Sequence, residues 1–505
     1  MALFADSERK VLKAVSGLAY ANPFLPERTQ FERAALGRDY VHAASVWSAS
    51  VSDPDAPSAN VVRLHARLSP LIESMGRRIR SASEVTPEEL AIYEDNVHYL
   101  LYQRYYADFT AARASSGAWA FYEKFAADWR ALLPDRARFE TAREAPHFFA
   151  CFRQVQRAFH HIFDNIIGNS MPAARLRASA WQSVFTHDPR RYRRKLYKRM
   201  GDFPTLITGP SGTGKELVAR AIAGSRYVPF DAARCRFEEA PGESFIAINL
   251  AALSPSLIES ELFGHKRGAF TGAIGDRKGW LEACPAVGSV FLDELGEMDL
   301  SIQVKLLRVI ETRKFSAVGD TALREFQGKL IAATNRDLTV EIRAGRFRED
   351  LYYRLCADLV RTPSLREQIE DSPGVLRDLL LFMVRRVVGD EAEQALAEVE
   401  DWVANHMPRD YAWPGNYREL EQCVRNVIIR RSYRPMEDRA AASQDPFLVR
   451  FEHGELSADE VMGHYAALVY RKAGTYEEAA RRLGLDRRTV KAKVEDYKTK
   501  RSVTA

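Results

Sequence analysis

The run Gly209-Pro210-Ser211-Gly212-Thr213-Gly214-Lys215 has the residue types and spacing to wrap a phosphate. Glycines let a backbone approach an anion closely, successive amides point at its oxygens, and a helix that starts at the lysine adds positive potential. The β-type run Thr205–Thr208 before the loop and the helical run Lys215–Ala223 after it supply that setting. Lys215 would neutralise β- and γ-phosphates. The last position departs from G-x-x-x-x-G-K-[ST]: Glu216 stands where a magnesium-binding hydroxyl is expected, so the pattern alone leaves metal handling open.

Further on, the apolar run from Gly288 ends in Asp293 and Glu294. Residues at the carboxyl end of a buried parallel strand project into the ligand crevice. Asp293 can hold magnesium through water there and Glu294 can polarise an attacking water, although alone such a run is equally well a plain strand end. A third strand, Lys329 to Thr334, delivers Asn335, which either senses a γ-phosphate or simply caps the turn. A second loop, Gly268-Ala269-Phe270-Thr271-Gly272-Ala273, is uncharged, framed by glycine and carries one aromatic. Phe270 is either packed down in an ordinary turn or exposed toward a protein partner.

These residues need elements to hold them, and 505 residues with 46% hydrophobic and 28% charged side chains suffice for three or four globular domains. No membrane span is visible, and the first ten residues lack the features of an export signal, which predicts a cytoplasmic protein. The five cysteines, Cys151, Cys235, Cys284, Cys356 and Cys423, are scattered without C-x-x-C spacing and read as buried thiols rather than disulfides or a metal site. A net charge of +5 excludes nothing and proves no nucleic-acid partner.

From about Ile166 to about Arg431 the chain resembles the central AAA+ domain of bacterial enhancer-binding proteins, the ATP-driven activators of RNA polymerase containing sigma-54. The resemblance rests on Glu259–Ala273, Gln303–Val309, Ala332–Leu338, Phe347–Leu355 and Trp413–Leu420, all in family order. In that family the phosphate loop also ends Gly-Lys-Glu, so Glu216 fits; the family usually has Glu where this chain has Pro210. The resemblance implies ATP and Mg2+ as cofactors. It implies that Asn249 restrains the catalytic Glu294 in a nucleotide-dependent switch, that Arg348 and Arg354 are arginine fingers reaching a neighbouring subunit, and that Arg418 reports nucleotide state to the lid. Without it, Arg348 and Arg354 would read as pairing with Glu349 or Asp350. Fingers require a ring, so a dimer assembling to a hexamer or heptamer is expected. The loop with Phe270 and Thr271 is implied to meet sigma-54, rising on ATP binding and falling on hydrolysis. The segment Arg226–Glu243 is longer than the family's connection and reads as a surface insertion near a subunit face.

At the C-terminus, Tyr476 to Val494 reads as helix, turn at Gly484 and a second helix capped by Asp486. Ala479, Ala480, Leu483, Leu485, Val490 and Val494 supply an apolar face, leaving Arg487, Arg488, Thr489, Lys491 and Lys493 outward. That is helix-turn-helix geometry for a DNA major groove; the alternative is a basic helix pair packed on protein. The module resembles the Fis-type domain of enhancer-binding proteins, in which the preceding helix, here about Ser457–Ala473, makes a dimer that favours a palindromic enhancer.

Residues 1 to about 160 are predicted to be mostly helical. Phe148, Phe152, Val155, Phe159 and Phe163 share one face, a core stripe or the wall of a small-molecule pocket. Adjacent His160 and His161 point to different helix faces, which argues against joint metal binding. The spaced acids and lysine of a phosphorylated receiver are not seen, so the signal, a ligand or a protein, stays open.

The expected architecture is multidomain: a helical regulatory domain (1–160), an α/β P-loop AAA+ subdomain (161–362) with a helical lid (363–432), a linker (433–455) and an all-α helix-turn-helix domain (456–505). The expected function is sigma-54-dependent activation from enhancer DNA. The rivals are a replication-initiator-like AAA+ protein, which has no use for the Gly268–Ala273 loop, and a DNA-binding repressor whose AAA+ core is only structural.

Overall fold

In the computed structural model the strands are β1 (Thr205–Thr208), β2 (Phe230–Asp231), β3 (Arg236–Phe237), β4 (Phe245–Asn249), β5 (Gly264–His265), β6 (Arg277–Lys278), β7 (Ser289–Asp293), β8 (Lys314–Phe315), β9 (Arg324–Glu325), β10 (Lys329–Thr334) and β11 (Leu359–Arg361). The structure describes residues 4–42, 58–82, 84–113, 117–134, 138–238, 244–408, 410–435, 447, 451 and 454–503. One all-parallel sheet runs in the order β11-β1-β10-β7-β4, and the remaining strands form the short antiparallel hairpins β2-β3, β5-β6 and β8-β9.

The helices before the sheet are α1 (Asp6–Tyr20), α2 (Glu27–Leu36), α3 (Ala59–Ser81), α4 (Pro87–Arg104), α5 (Tyr106–Ala111), α6 (Tyr122–Leu132), α7 (Ala145–Asn165), α8 (Met171–Phe185) and α9 (Pro189–Arg191). Within and after the sheet come α10 (Lys215–Gly224), α11 (Pro255–Phe263), α12 (Trp280–Ala283), α13 (Leu300–Thr312), α14 (Leu338–Arg343) and α15 (Glu349–Leu355). The lid is α16 (Leu365–Asp371), α17 (Val375–Val388), α18 (Ala392–His406) and α19 (Asn416–Arg430).

The sheet is covered on both faces, which is why its central strands are continuously apolar. Side chains alternate across a strand, so Leu206, Val290, Leu292, Leu330 and Ala332 join one core with Ile258, Leu262, Leu306 and Leu351. Ile207, Phe291, Ile331, Ala333 and Val360 face the other way, onto Val218 and Ile222 of α10, Ala158 and Ile162 of α7, and Leu176 and Trp181 of α8. The lid has its own core around Leu379, Val399, Trp413 and Leu420.

The helical N-terminal region is built on aromatic packing: Tyr93, Tyr105, Phe109, Phe125, Trp129 and Phe149 are all buried in one cluster. Thr86 and Glu89 form a reciprocal capping box that starts α4. Residues 1–433 make one compact unit, because α7 leaves this cluster and continues along α10 beneath the sheet.

The β2-β3 hairpin is not a free surface insertion, which corrects the expectation from its length and charge. Phe230 lies 4.7 Å from Tyr122 and 4.6 Å from Phe149, ring centre to ring centre, and Phe237 lies 5.1 Å from Trp119. The Trp119 amide also donates to the Cys235 carbonyl at 2.7 Å. The hairpin's alternating aromatics thus complete the N-terminal core, while residues 239–243 of the segment lie outside the described residues.

Residues 434–505 form a second unit. Its helices are α20 (Ala458–Ala473), α21 (Tyr476–Leu483) and α22 (Arg487–Val503), around Ala466, Ala467, Ala479, Ala480, Val490 and Val494. The expected linker lies largely outside the described residues.

Candidate functional site

The phosphate-type loop connects β1 to α10, so its amides sit at the carboxyl end of the sheet. Gly209, Gly212 and Gly214 have φ of 150°, 76° and 83°. A Cβ at Gly209 would stand 2.1 Å from Thr362 Oγ1 and one at Gly212 2.2 Å from the Gly415 carbonyl, so both positions need glycine for space as well as conformation. Lys215 Nζ donates to the carbonyls of Gly209 at 3.0 Å and Pro210 at 3.1 Å. Burial lowers the pKa of this ammonium, partly offset by Glu294 and Asp293. Thr213 Oγ1 is held by the Pro210 carbonyl and by Thr362, while Glu216 turns outward to pair with Arg220 at 2.7 Å.

The two carboxylates stand at the end of β7, as the apolar run predicts. Burial raises the Asp293 carboxyl above its ordinary value, opposed by the hydrogen bond from the Glu294 amide and by the charge of Lys215. Glu294 has φ 55°, a left-handed turn that ends the strand. Asn249 is in register with Asp293 on the neighbouring strand β4. Its Oδ1 accepts from the Ala251 amide at 3.0 Å, and no Asn249–Glu294 hydrogen bond is present among the described residues. β10 lies between β1 and β7, which puts Asn335 at the same edge as Gly209 and Asp293, exposed.

The lid closes on the loop through the start of α19. Asn416 Nδ2 donates to the Ser211 carbonyl at 2.9 Å, the Tyr417 amide to the Gly212 carbonyl at 3.1 Å, and Arg418 Nη1 to Ser211 Oγ at 3.3 Å. Asn416 is buried with φ 52°, and its Oδ1 accepts from the Leu365 amide at 2.8 Å. Sequence reasoning names Arg418 but misses Asn416; a polar residue directly after Trp-Pro-Gly at a helix start is the available signal.

Arg348 and Arg354 frame α15. Arg348 binds Asp350 through two hydrogen bonds of 3.0 and 2.6 Å, and Arg354 binds Glu311 at 3.1 Å. Within one chain Arg348 therefore has the short-range partner that its spacing allows. Gln303 is a further residue that sequence reasoning passes over. Buried in the apolar stripe of α13, it donates to the Met298 and Arg346 carbonyls and accepts from the Arg348 amide at 2.9 Å, fixing where α15 begins.

The second loop projects between β5 and β6. Gly268 and Gly272 have φ of 80° and 101°, and the loop is closed by Gly268 N to Ala273 O at 2.9 Å and Ala273 N to Phe270 O at 3.0 Å. Phe270 is 42% exposed and Ile274 89%, while Thr271 is exposed at the turn. The Phe270 ring touches His265, centre to centre 5.0 Å, and Ala269 packs against Gly319 of the adjacent β8-β9 connection. At the loop's foot Asp276 accepts from Lys266 Nζ at 2.6 Å and from the Arg267 amide at 2.9 Å.

In the C-terminal unit Gly484 has φ 64° and turns the chain between α21 and α22. Asp486 Oδ1 accepts from the Arg488 amide at 2.5 Å. Arg487, Arg488, Thr489 and Lys491 are exposed, with Arg487 paired to Glu477 at 2.9 Å and Lys491 to Glu495 at 3.8 Å. Lys493 differs from the outward placement expected: its side chain is 27% exposed and is held by Asp459 of α20. Its position three residues past the buried Val490 and next to the buried Val494 brings it to the edge of the face that packs on the first helix.

A five-stranded parallel sheet with a glycine loop after one strand, a carboxylate pair ending another and a helical lid latched to the loop defines a P-loop AAA+ module. Residues 188–360 match the Sigma-54 interaction domain family. The transcriptional regulatory protein ZraR of Klebsiella oxytoca is 39% identical over 302 residues, 58% of this chain and 63% of that protein. The regulatory protein LuxO of Vibrio cholerae is 45% identical over 224 residues (44% of this chain, 45% of LuxO). The Nif-specific regulatory protein of Enterobacter agglomerans is 41% identical over 257 residues (51% and 44%). The matches thus span less than two thirds of each relative.

Proposed function

We propose that the chain is a sigma-54-dependent transcriptional activator: an AAA+ ATPase that binds enhancer DNA, assembles into a ring and remodels the sigma-54 polymerase complex. The observation that carries this reading is the pairing of a complete P-loop site with an exposed Phe270 on a loop pivoted by two glycines of the same subdomain. A replication initiator or a repressor with an inert core would need no such loop.

In this reading the amides of Ser211 to Lys215 and the Lys215 ammonium receive the phosphates of ATP, which compete with the Gly209 and Pro210 carbonyls for that ammonium. Asp293 is the carboxylate suited to Mg2+, an oxygen-seeking ion, since Glu216 is engaged by Arg220. When bound, Mg2+ would offset phosphate charge. Glu294 would orient and deprotonate the attacking water, with Asn249 acting as its restraint and Asn335 beside the γ-phosphate. Arg348 and Arg354 would leave Asp350 and Glu311 to reach a neighbouring subunit's site. Arg418 would carry nucleotide state to the lid through Ser211.

Among the described residues no helix is long and apolar enough to cross a membrane, and a cytoplasmic location suits a polymerase partner. The test is capture of purified sigma-54 by the full chain with ATP, with ADP and with ADP–aluminium fluoride. Capture that depends on nucleotide state and disappears in Phe270→Ala is expected; capture indifferent to that substitution would contradict the reading.

A further inference from the structure

A cavity of about 350 Å³ opens between the N-terminal helices and α8. Its walls are aromatic: Tyr99 and Tyr102 from α4, Phe152 and Phe159 from α7, and Trp181 and Phe185 from α8. The volume is at the small end of the roughly 300–1,000 Å³ typical of ligand pockets.

The polar groups at this cavity are unevenly matched. Arg28, which lines it, is paired with Glu32 at 2.9 Å. Arg193 also lines the cavity, yet no carboxylate pairs with it among the described residues. Its guanidinium lies 5.1 Å from the ring centre of Tyr20 and 5.0 Å from that of Phe148, and it donates to the Tyr20 hydroxyl. Tyr20 supplies no anion, because burial pushes its hydroxyl up to about 12. His98, buried between Trp129 and Phe148, also lines the cavity and is held neutral by burial. Its Nδ1 is buried without a hydrogen-bond partner. A guanidinium hydrogen-bonded to a neutral hydroxyl, with no carboxylate in ion-pair contact among the described residues, beside aromatic walls is what a small aromatic acid would complete.

The walls also touch the nucleotide site's own helix. On α7, Gln154 Nε2 donates to the Ser225 carbonyl at 2.9 Å just past α10, and His161 packs so closely on Gly224 that a Cβ there would stand 2.9 Å from Nε2. On α8, Leu176 and Trp181 share a core with Val218 and Ile222 of α10, the helix that begins at Lys215.

We propose that this cavity binds a small aromatic carboxylic acid, with its ring among the aromatic walls and its carboxylate on Arg193, and that occupancy changes ATP turnover through α7 and α8. The coupling half rests on the ATPase reading above; the binding half does not, and it is read separately by calorimetry.

The full chain would be titrated with benzoate, phenylacetate and 2-naphthoate, and with 2-naphthamide as the uncharged match. At least one acid is expected to bind saturably, with 2-naphthoate at least about tenfold tighter than its amide, the worth of one charge-assisted contact. Arg193→Gln should erase that ratio, and Val155→Trp, which fills the cavity, should abolish binding, with circular dichroism confirming that both variants fold. No saturable binding by any of the three acids, or a ratio unchanged in Arg193→Gln, would overturn the site. Binding with ATP turnover unchanged would overturn the coupling.

Discussion

Asn416 and Ser211 join the lid to the phosphate loop through one hydrogen bond of 2.9 Å, made by a buried side chain whose other end holds the Leu365 amide at 2.8 Å. The amide side chain thus spans the loop apex, the first residue of the lid and the start of α19. Nucleotide that orders the loop must act on the lid through this contact and through the neighbouring Tyr417–Gly212 and Arg418–Ser211 bonds.

Replacing Asn416 by Ala should therefore weaken ATP binding by about tenfold, or about 1.4 kcal/mol, the order expected for losing buried hydrogen bonds. Because Asn416 has φ 52°, Asn416→Gly is the control that removes the bonds without the backbone strain. Fluorescent-nucleotide titration would check this, and unchanged affinity in both variants would contradict it.

The two arginines of α15 are bound within their own chain, to Asp350 and Glu311. If they act on a neighbour, Arg348→Ala and Arg354→Ala should each lower ATP turnover by at least about a hundredfold while leaving nucleotide affinity intact. Turnover per chain should rise with concentration for the unaltered protein and stay flat for the variants. Substitutions on such exposed side chains should shift thermal stability little.

Local features of the fold are legible in the sequence and long-range ones are not. The phosphate loop and the Asp293 strand end are local patterns, in which glycine spacing or an apolar run fixes the backbone, and both stand at the carboxyl edge of the sheet. The β2-β3 hairpin departs from the surface insertion its sequence suggests because charge and alternation describe the segment and say nothing of which distant aromatics it will meet; Tyr122 and Phe149 lie far away in sequence. Lys493 departs from the outward face because a basic helix residue can turn toward an acid on another helix, here Asp459. Gln303 and Asn416 escaped notice because their role is to hold backbone groups of other elements.

Lys329 provides a pH signature. It is fully buried at the start of β10, donating to the Phe203 carbonyl at 2.8 Å, and burial lowers its pKa to about 8. Between that value and the ordinary value of 10.5 the unfolded chain holds the proton and the folded chain does not, so stability rises with pH through this window. From pH 7 to 9.5 the gain should be about 2 kcal/mol relative to Lys329→Met, measured by urea unfolding. An equal pH response in the two proteins would contradict it.

In the C-terminal unit Arg488 is exposed with no ion pair among the described residues, whereas Lys493 is held by Asp459. Arg488→Ala should weaken binding to palindromic enhancer DNA by about tenfold and reduce the dependence of log affinity on log salt by about one. Lys493→Ala should change affinity less than about threefold, since its charge is already answered. Fluorescence anisotropy across a salt series would separate the two, and the reverse order would place the DNA on a different face.

The central claim is that ATP hydrolysis at the Lys215–Glu294 site does work on sigma-54 polymerase through the loop carrying Phe270 and Thr271. Its most direct test is open-complex formation by the purified chain with sigma-54 polymerase on a sigma-54 promoter, beside Thr271→Ala. Opening that requires ATP and is lost in Thr271→Ala while ATP hydrolysis persists is the expected result. Hydrolysis by the full chain without opening would contradict the account.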